Sequence, residues 1–241
     1  MESLNCLTNQ SINLLQKNQL LAPLLKAELL RENISNIKID DDTKIKTMDS
    51  FINQMGLNNE KSLEEWLKKN HLKKEEFEEL ALNKIRIKKF REKNFYHKTE
   101  SHFLQRKNEL DIVVYSLIRV KDRFKANELY MRIEEEEADF SELATKFSEG
   151  LERKTRGIIG PSPIGKAHPK LAEFIKTSEI RKVQPPIALE GFYLILRVES
   201  YDEACLDEFM KEKMSEELLN NWLDRQTNEL SSTLLSKVNE G

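Results

Sequence analysis

Apolar residues recur at helical spacing towards both ends of the chain, but a central block has a β pattern. Leucines between Leu4 and Leu30 and apolar residues between Leu206 and Leu235 follow the helical repeat. Between these regions, residues 111–120 are rich in β-branched side chains, which predicts a buried strand. We therefore expect an α+β fold in which helices from both ends form one helical domain and a small α+β module is inserted between them.

The N-terminal region, residues 1–108, is predicted to be helical throughout. Asp40 and its acidic neighbours favour the start of a helix that ends at Gly56. Ser62 and Glu65 have the spacing of a capping box in front of a short helix. The next predicted helix covers residues 73–93.

The module, residues 109–201, is predicted to run β-α-α-(loop)-α-β-β. After the first strand we expect a helix over residues 123–138 and a shorter one capped by Asp139. Residues 150–169 hold four of the seven glycines and three of the six prolines, so a loop suited to binding is expected there. Two strands joined at Glu190 and Gly191 follow. The third region, residues 202–241, is predicted to be a long helix that packs on the N-terminal helices.

Charge and hydropathy exclude several classes of function. The formal net charge is −3, so nothing attracts the chain globally to nucleic acid. The basic run in residues 84–93 is interpreted as a solvated helix end. Because no segment reaches the roughly 20 apolar residues that span a bilayer, and no secretory signal is recognisable, we expect no membrane insertion and a cytoplasmic location.

The cysteines and histidines do not suggest a metal site. Cys6 and Cys205 are far apart in the sequence and are predicted to be buried free thiols in a reducing compartment. The spacing of His71, His97 and His102 suits no metal. No metal and no cofactor are predicted.

Three segments of the module resemble a known enzyme family. Residues 139–149, DFSELATKFSE, are similar to the "ADF-ELA-K-S" signature of parvulin-type peptidyl-prolyl cis-trans isomerases. The resemblance continues through residues 156–160, and residues 190–198 resemble the family's final hairpin, "GYHIIKV". It covers residues 112–200, and the flanking helices resemble those of the SurA, PrsA and PpiD group.

The polar positions of the site differ from those that the family uses. The resemblance places Ser116 where the family has a histidine in the first strand and Tyr193 where it has one in the last strand. Gly150 stands in place of a cysteine or aspartate, and Ile158 in place of an aspartate.

The resemblance also implies an apolar proline pocket. Its positions correspond to Ile159, Ala167 and Leu171, and Ser162 and His168 of the same loop are added as substrate-binding candidates. If Ser116 and Tyr193 face each other beneath this pocket, their hydroxyls form a hydrogen-bonded floor for catalysis. The alternative is that they are structural hydroxyls, and that Ile159 and Leu171 are ordinary core residues.

Two functions follow from this interpretation. One is a peptidyl-prolyl isomerase-like protein that binds proline-containing or unfolded polypeptides as a chaperone, with weak or absent isomerase activity. The other is an active parvulin-type isomerase that uses the serine and tyrosine floor. A third function consistent with the sequence is a scaffold within a complex that processes or secretes peptides. Four methionines suit an adaptable client-binding surface, although such residues also pack in cores: Met48, Met55, Met210 and Met214.

Overall fold

A computed structural model describes residue 4, residues 6–57 and residues 59–240. The termini of the outer predicted regions, residues 1–3 and 241, lie outside the described residues, as do residues 5 and 58. The chain divides into two compact units, one formed by residues 1–102 and 207–241 and the other by residues 103–206. The described secondary structure is mixed α and β, which confirms the predicted α+β class.

Ten α-helices and four strands are found in the described residues. The helices are α1 Asn9–Lys17, α2 Leu21–Ile34, α3 Asp41–Gln54, α4 Glu60–Asn70, α5 Lys74–Asn94, α6 Thr99–Leu110, α7 Arg123–Glu134, α8 Phe140–Phe147, α9 Pro169–Thr177 and α10 Glu208–Glu240. The strands are β1 Ile112–Val120, β2 Ile158–Pro163, β3 Val183–Leu189 and β4 Phe192–Asp202.

The helical unit is held together by apolar contacts between α10 and the N-terminal helices. Leu21 and Leu25 of α2 are fully buried, and leucines near the end of α10 pack against them. Further along α10, Trp222 lies with its ring centroid 5.8 Å from that of Phe90 and 6.3 Å from that of Phe95. The apolar stripe of α10 thus finds its partners within the helical unit.

The sheet unit contains a four-stranded antiparallel sheet in the order β2-β1-β4-β3. The central pair, β1 and β4, runs in register from Ile112 opposite Asp202 to Val120 opposite Tyr193. The register shifts once, where β4 carries the extra residue Glu199 between the partners of Val114 and Tyr115. Helices α7 and α8 are both capped by aspartates, and in α8 the Asp139 carboxylate accepts from the backbone N–H of Ser141 at 2.8 Å.

The long loop expected at residues 150–169 contains a strand. Residues 158–163 form β2 at the sheet edge, where the glycine and prolines that suggested a loop are compatible with pairing on one side only. Gly160 has a φ of +110°, and a Cβ there would lie 2.4 Å from the carbonyl oxygen of Val113. Glycine is therefore needed at this position for β2 to approach β1.

Several predicted boundaries were wrong. Helix α10 begins at Glu208 and not at residue 202, because β4 continues to Asp202 and the Asp207 carboxylate accepts from the backbone N–H of Met210 at 2.7 Å. The capping box of α4 consists of Asn59 and Ser62, one turn before the expected pair.

Helix α7 ends at Glu134, four residues earlier than expected, where the chain turns through Glu136 at a φ of +55°. Cys6 and Cys205 are both exposed and neither forms a disulfide, so the prediction that they are buried was wrong.

Candidate functional site

The two faces of the sheet are covered differently. On one face, Ile118 and Val120 of β1 and Ile195 of β4 pack against α7 and α8 in a continuous apolar core. We call this the closed face. The other face, which carries Tyr115, Leu117 and other alternate residues of β1 and β4, packs against α9 and the residues around β2. Because strand side chains alternate between faces, each residue of β1 and β4 belongs to one environment only.

A cavity of about 210 Å³ opens on this second face, which we call the cavity face. A water molecule occupies about 30 Å³ of liquid, so the space holds several waters or one small ring. It is lined by Tyr115, Leu117, Arg119, Ile159, Lys166, Ala167, His168, Leu171, Leu189, Glu190, Phe192 and Leu194. Eight of these twelve residues are aliphatic or aromatic, and the other four are ionisable: Arg119, Lys166, His168 and Glu190.

Four of the predicted substrate-binding residues line this cavity. Ile159 of β2 lies opposite Tyr115 in the sheet, Ala167 and His168 immediately precede α9, and Leu171 lies in the first turn of α9. Ser162 does not line it, because this residue pairs with Val113 towards the far end of β2. Their role in binding a substrate stays a prediction.

The structure does not place Ser116 and Tyr193 beneath the cavity. Both lie on the closed face, since Ser116 alternates with Leu117 and Tyr193 packs against the α7 and α8 core. In the β1–β4 pair, Ser116 lies opposite Arg197, which is four residues beyond Tyr193 in β4. Tyr193 lies opposite Val120, which is four residues beyond Ser116 in β1. That offset corresponds to about 13 Å along a strand. The expected hydroxyl floor was therefore wrong.

Ser116 has a different role on the closed face. The residue is 2% exposed, and its hydroxyl donates to the Glu199 carboxylate at 2.5 Å. Arg197 Nε donates to the same carboxylate at 2.8 Å, and the Arg197 guanidinium lies 5.1 Å from the ring centroid of Phe140. Ser116 thus belongs to a partly buried polar trio that is separate from the cavity.

The floor of the cavity contains residues that the sequence analysis missed. Leu117 and Leu194, each one residue along the strand from a predicted hydroxyl, line the cavity and are almost fully buried. Tyr115 is 6% exposed, and burial raises the pKa of its phenol. It therefore presents a neutral hydroxyl at ordinary pH. The alternation of the strand is the signal that identifies these residues, once it is known which face is open.

Arg119 is the main cationic group that the cavity-face strands supply. Its Nε lies 3.6 Å from the Glu152 carboxylate, and its guanidinium lies 5.7 Å from the ring centroid of Phe192. The Glu152 carboxylate accepts from the Ser148 hydroxyl at 2.7 Å, and the Ser148 oxygen accepts from the backbone N–H of Arg119 at 3.0 Å. These contacts form a second trio of serine, glutamate and arginine, at the edge of the cavity.

His168 contributes to the rim of the cavity. Its Nδ1 accepts from the backbone N–H of Lys170 at 3.3 Å, which caps α9. Its Nε2 lies 3.5 Å from the exposed Glu190 carboxylate in the β3–β4 turn. These contacts fix the ring at the mouth of the cavity, where it acts as a helix cap.

The helical unit contains a separate, larger groove of about 630 Å³. Its apolar residues come from α2, α5 and α10 and are Pro23, Ala27, Leu30, Ile87, Leu219 and Leu223. Charged side chains, among them Lys26, Lys84 and Glu216, stand around them.

The described residues contain neither a metal-binding cluster nor a helix that could span a membrane. No group of three or more potential ligands is placed to bind a metal ion in the described part of the chain. Among the described helices, none combines the length and the apolar character required to cross a bilayer.

Comparison with known families identifies the sheet unit. Residues 117–200 match the model of the Rotamase family, described as a PPIC-type PPIASE domain. This match spans most of the described sheet and the cavity lining. No curated protein matched the chain.

Solved structures of similar architecture include bacterial folding factors. The peptidylprolyl isomerase PrsA of Bacillus anthracis is 20% identical, with 90% of this chain and 97% of that chain covered and a TM-score of 0.42. The foldase PrsA of Streptococcus pneumoniae is 18% identical over 95% of this chain and 87% of that one, with a TM-score of 0.44.

A structure from a study of PEB4 and Cj1289, described as SurA-like chaperones of Campylobacter jejuni, is also similar. It is 16% identical over 88% of this chain and 92% of that one, with a TM-score of 0.39.

Proposed function

We propose, from the premise that residues 117–200 form a parvulin-type peptidyl-prolyl isomerase domain, that the cavity binds the proline of an extended peptide and eases rotation about the preceding bond. The observation that carries the proposal is the cavity itself. Its lining combines apolar side chains, among them Leu117, Ile159 and Leu171, with the polar groups of Tyr115 and Arg119, and it is open to solvent.

The chemistry of the reaction suits such a site. Rotation about an X-Pro bond must cross a barrier of about 18–20 kcal/mol, but no covalent bond is broken and no proton needs to move. The twisted bond loses resonance, so its carbonyl is less polar and its nitrogen gains a lone pair. An apolar wall and a hydrogen-bond donor therefore stabilise the twisted state more than the planar state.

The apolar floor limits the expected rate. Leu117 and Leu194 offer no side-chain hydrogen bonds, so the donors that the strands supply to the reacting bond are Tyr115 and Arg119. A hydrogen bond contributes about 0.5–1.5 kcal/mol when neutral and about 1.5–3 kcal/mol when it involves a charged group. We therefore expect a modest acceleration.

The test is exchange NMR on a short Ala-Pro peptide with and without the full chain. We expect the protein to accelerate cis-trans exchange. Ala167→Phe should abolish this effect, because the larger ring fills the cavity from a half-buried position without opening the core. Ser162→Ala is the matched control, since Ser162 lies on β2 but outside the cavity lining. Unchanged exchange with the wild-type protein would refute the proposal.

A second function is supported by the groove of the helical unit. Its apolar lining is large enough to hold several side chains of an unfolded polypeptide, which favours chaperone-like binding of such clients. Leu30 is half-buried within this groove, so Leu30→Asp should weaken suppression of the aggregation of a reduced client protein. Leu14→Asp is the control, because Leu14 is exposed and does not line the groove. Equal light scattering with and without the wild-type protein would contradict this function.

Association with a peptide-processing or secretion complex and a cytoplasmic location stay predictions from the sequence.

A further inference from the structure

The cavity edge contains a buried carboxylate that the function proposed above does not yet use. Glu152 is 6% exposed, although it lies in a short 3₁₀ turn among exposed residues. A Cβ added to Gly150 would lie 2.2–2.5 Å from the carboxylate atoms of Glu152, so glycine at position 150 leaves the space that this carboxylate occupies. The chain therefore turns a charged group inwards at this point.

Burial of a carboxylate is costly unless it is paired. Ser148 and Arg119 are the partners of Glu152: the serine hydroxyl donates to its Oε1, and Arg119 Nε lies 3.6 Å from the same oxygen. A further hydrogen bond, from the backbone N–H of Arg119 to the Ser148 hydroxyl oxygen, holds the serine against β1. The three residues are thus joined at both the backbone and the side chains.

The Arg119 guanidinium lies beside Glu152, but its hydrogen-bond donors are not all used. Arg119 Nε is buried and makes no hydrogen bond within the described part of the chain, because 3.6 Å exceeds hydrogen-bond distance. The Arg119 side chain is 39% exposed and lines the cavity. Its outer N–H groups therefore remain available to a bound peptide, while Glu152 restrains the inner end.

We propose that Arg119 is a catalytic residue and that Glu152, supported by Ser148, is its positioning residue. This inference rests on the proposed isomerase function. An Arg119 N–H donates to the prolyl nitrogen once the bond twists and the nitrogen lone pair becomes available. In the planar ground state that lone pair is delocalised, so the hydrogen bond forms only in the twisted state. Such an interaction raises the rate of rotation without tightening the binding of the peptide.

The test is a double-mutant cycle in the full chain that uses Arg119→Met and Glu152→Gln. Exchange NMR at saturating Ala-Pro peptide gives the rate of rotation, and a titration of the same peptide gives its affinity. We expect Arg119→Met to lower the rate about tenfold and to change the affinity less than about twofold. Glu152→Gln keeps an acceptor for Ser148 but removes the ion pair, so we expect a rate about threefold lower.

Non-additivity separates positioning from a structural role. If Glu152 acts through Arg119, Glu152→Gln should have no further effect on the rate in the Arg119→Met background. Arg119→Lys keeps the charge and should retain part of the rate. The control is Arg197→Met, because Arg197 belongs to the corresponding trio on the closed face and should leave the rate unchanged.

The possible outcomes distinguish failure of the proposed function from failure of the role assigned to Arg119. No acceleration by the wild-type protein would overturn the proposed function, and with it this inference. Acceleration that Arg119→Met leaves intact would overturn the role of Arg119 alone. Additive effects of the two substitutions would overturn the positioning role of Glu152. Should Arg119→Met fail to fold, as judged by its amide spectrum, Arg119→Gln provides the same comparison.

Discussion

The two faces of one sheet carry the same polar trio in different surroundings. On the closed face, Ser116 and Arg197 share Glu199, and the side chains of the two charged residues are 30% and 27% exposed. On the cavity face, the Glu152 side chain is 4% exposed whereas that of Arg119 is 39% exposed. The same three residue types therefore do not by themselves define a site. The trios differ because the cavity-face trio buries its carboxylate and leaves its guanidinium partly exposed at the cavity.

The largest expected effect concerns the closed face. Leu129 of α7 is fully buried in the core, so Leu129→Ala should lower the free energy of unfolding of the sheet unit by about 2–5 kcal/mol. Urea denaturation followed by the NMR amide signals of β1 measures this loss. At low urea the affinity for an Ala-Pro peptide should not change. A parallel loss of affinity would show that the two faces are not independent.

Leu171→Ala is the matched change on the cavity face. Leu171 lines the cavity, so its truncation removes apolar contact with a bound proline, and we expect peptide affinity about tenfold lower. Fluorescence anisotropy of a labelled Ala-Pro peptide measures the dissociation constant. An unchanged dissociation constant would indicate that Leu171 is only a core residue.

A smaller effect is expected from a single hydroxyl. Tyr115→Phe removes a neutral donor from the cavity wall and should slow peptide isomerisation about threefold to tenfold, as measured by exchange NMR. Because burial raises the pKa of Tyr115, its hydroxyl stays protonated, and its contribution should be constant from pH 6 to pH 9. Ser116→Ala and Tyr193→Phe serve as controls, since neither hydroxyl reaches the cavity. Loss of activity in either control would restore the floor predicted from the sequence.

The smallest effect concerns the Asp139 cap of α8. The hydrogen bond from the Ser141 hydroxyl, assisted by backbone N–H groups, lowers the pKa of the Asp139 carboxyl. A group with a depressed pKa in the folded state stabilises the fold above its unfolded pKa, near 4, and loses that contribution as the pH falls through the folded value. Since Asp139 is exposed, solvent screening keeps this contribution below about 1 kcal/mol.

The measurement for Asp139 is thermal unfolding of the wild type and of Asp139→Ala between pH 2 and pH 7. The difference in melting temperature should shrink at the acid end. A constant difference across this range would contradict a role for the ionised carboxylate.

The sequence predicted the elements of the module better than the faces of its strands. The β-branched run of β1, the cap at Asp139 and the turn at Glu190 are local signals, and all three lie where they were expected. Which strand residues point into the cavity depends on register, and an error of one residue transfers a side chain to the opposite face. That error placed Ser116 and Tyr193 in the site and left out Leu117 and Leu194.

Other parts of the site could not be predicted from local pattern. Glu152 reaches Arg119 across 33 positions of sequence, and no periodicity signals such a pair. The edge strand β2 was predicted as loop because glycine and proline are rare in central strands, and only its position at the edge allows them. Ile159, Ala167 and Leu171 were placed through the family resemblance, and the structure brings them to one cavity.

The two ends of the inserted module are hydrogen-bonded to each other. Ile112 pairs with Asp202, and the Asp111 carboxylate accepts from the Tyr201 hydroxyl at 2.5 Å and from the backbone N–H of Ala204 at 2.9 Å. Neighbouring strands lie about 4.7–4.9 Å apart, so the module leaves and returns at nearly one point. A domain with adjacent ends can be inserted into a host chain, removed from it or exchanged without distortion of the host backbone.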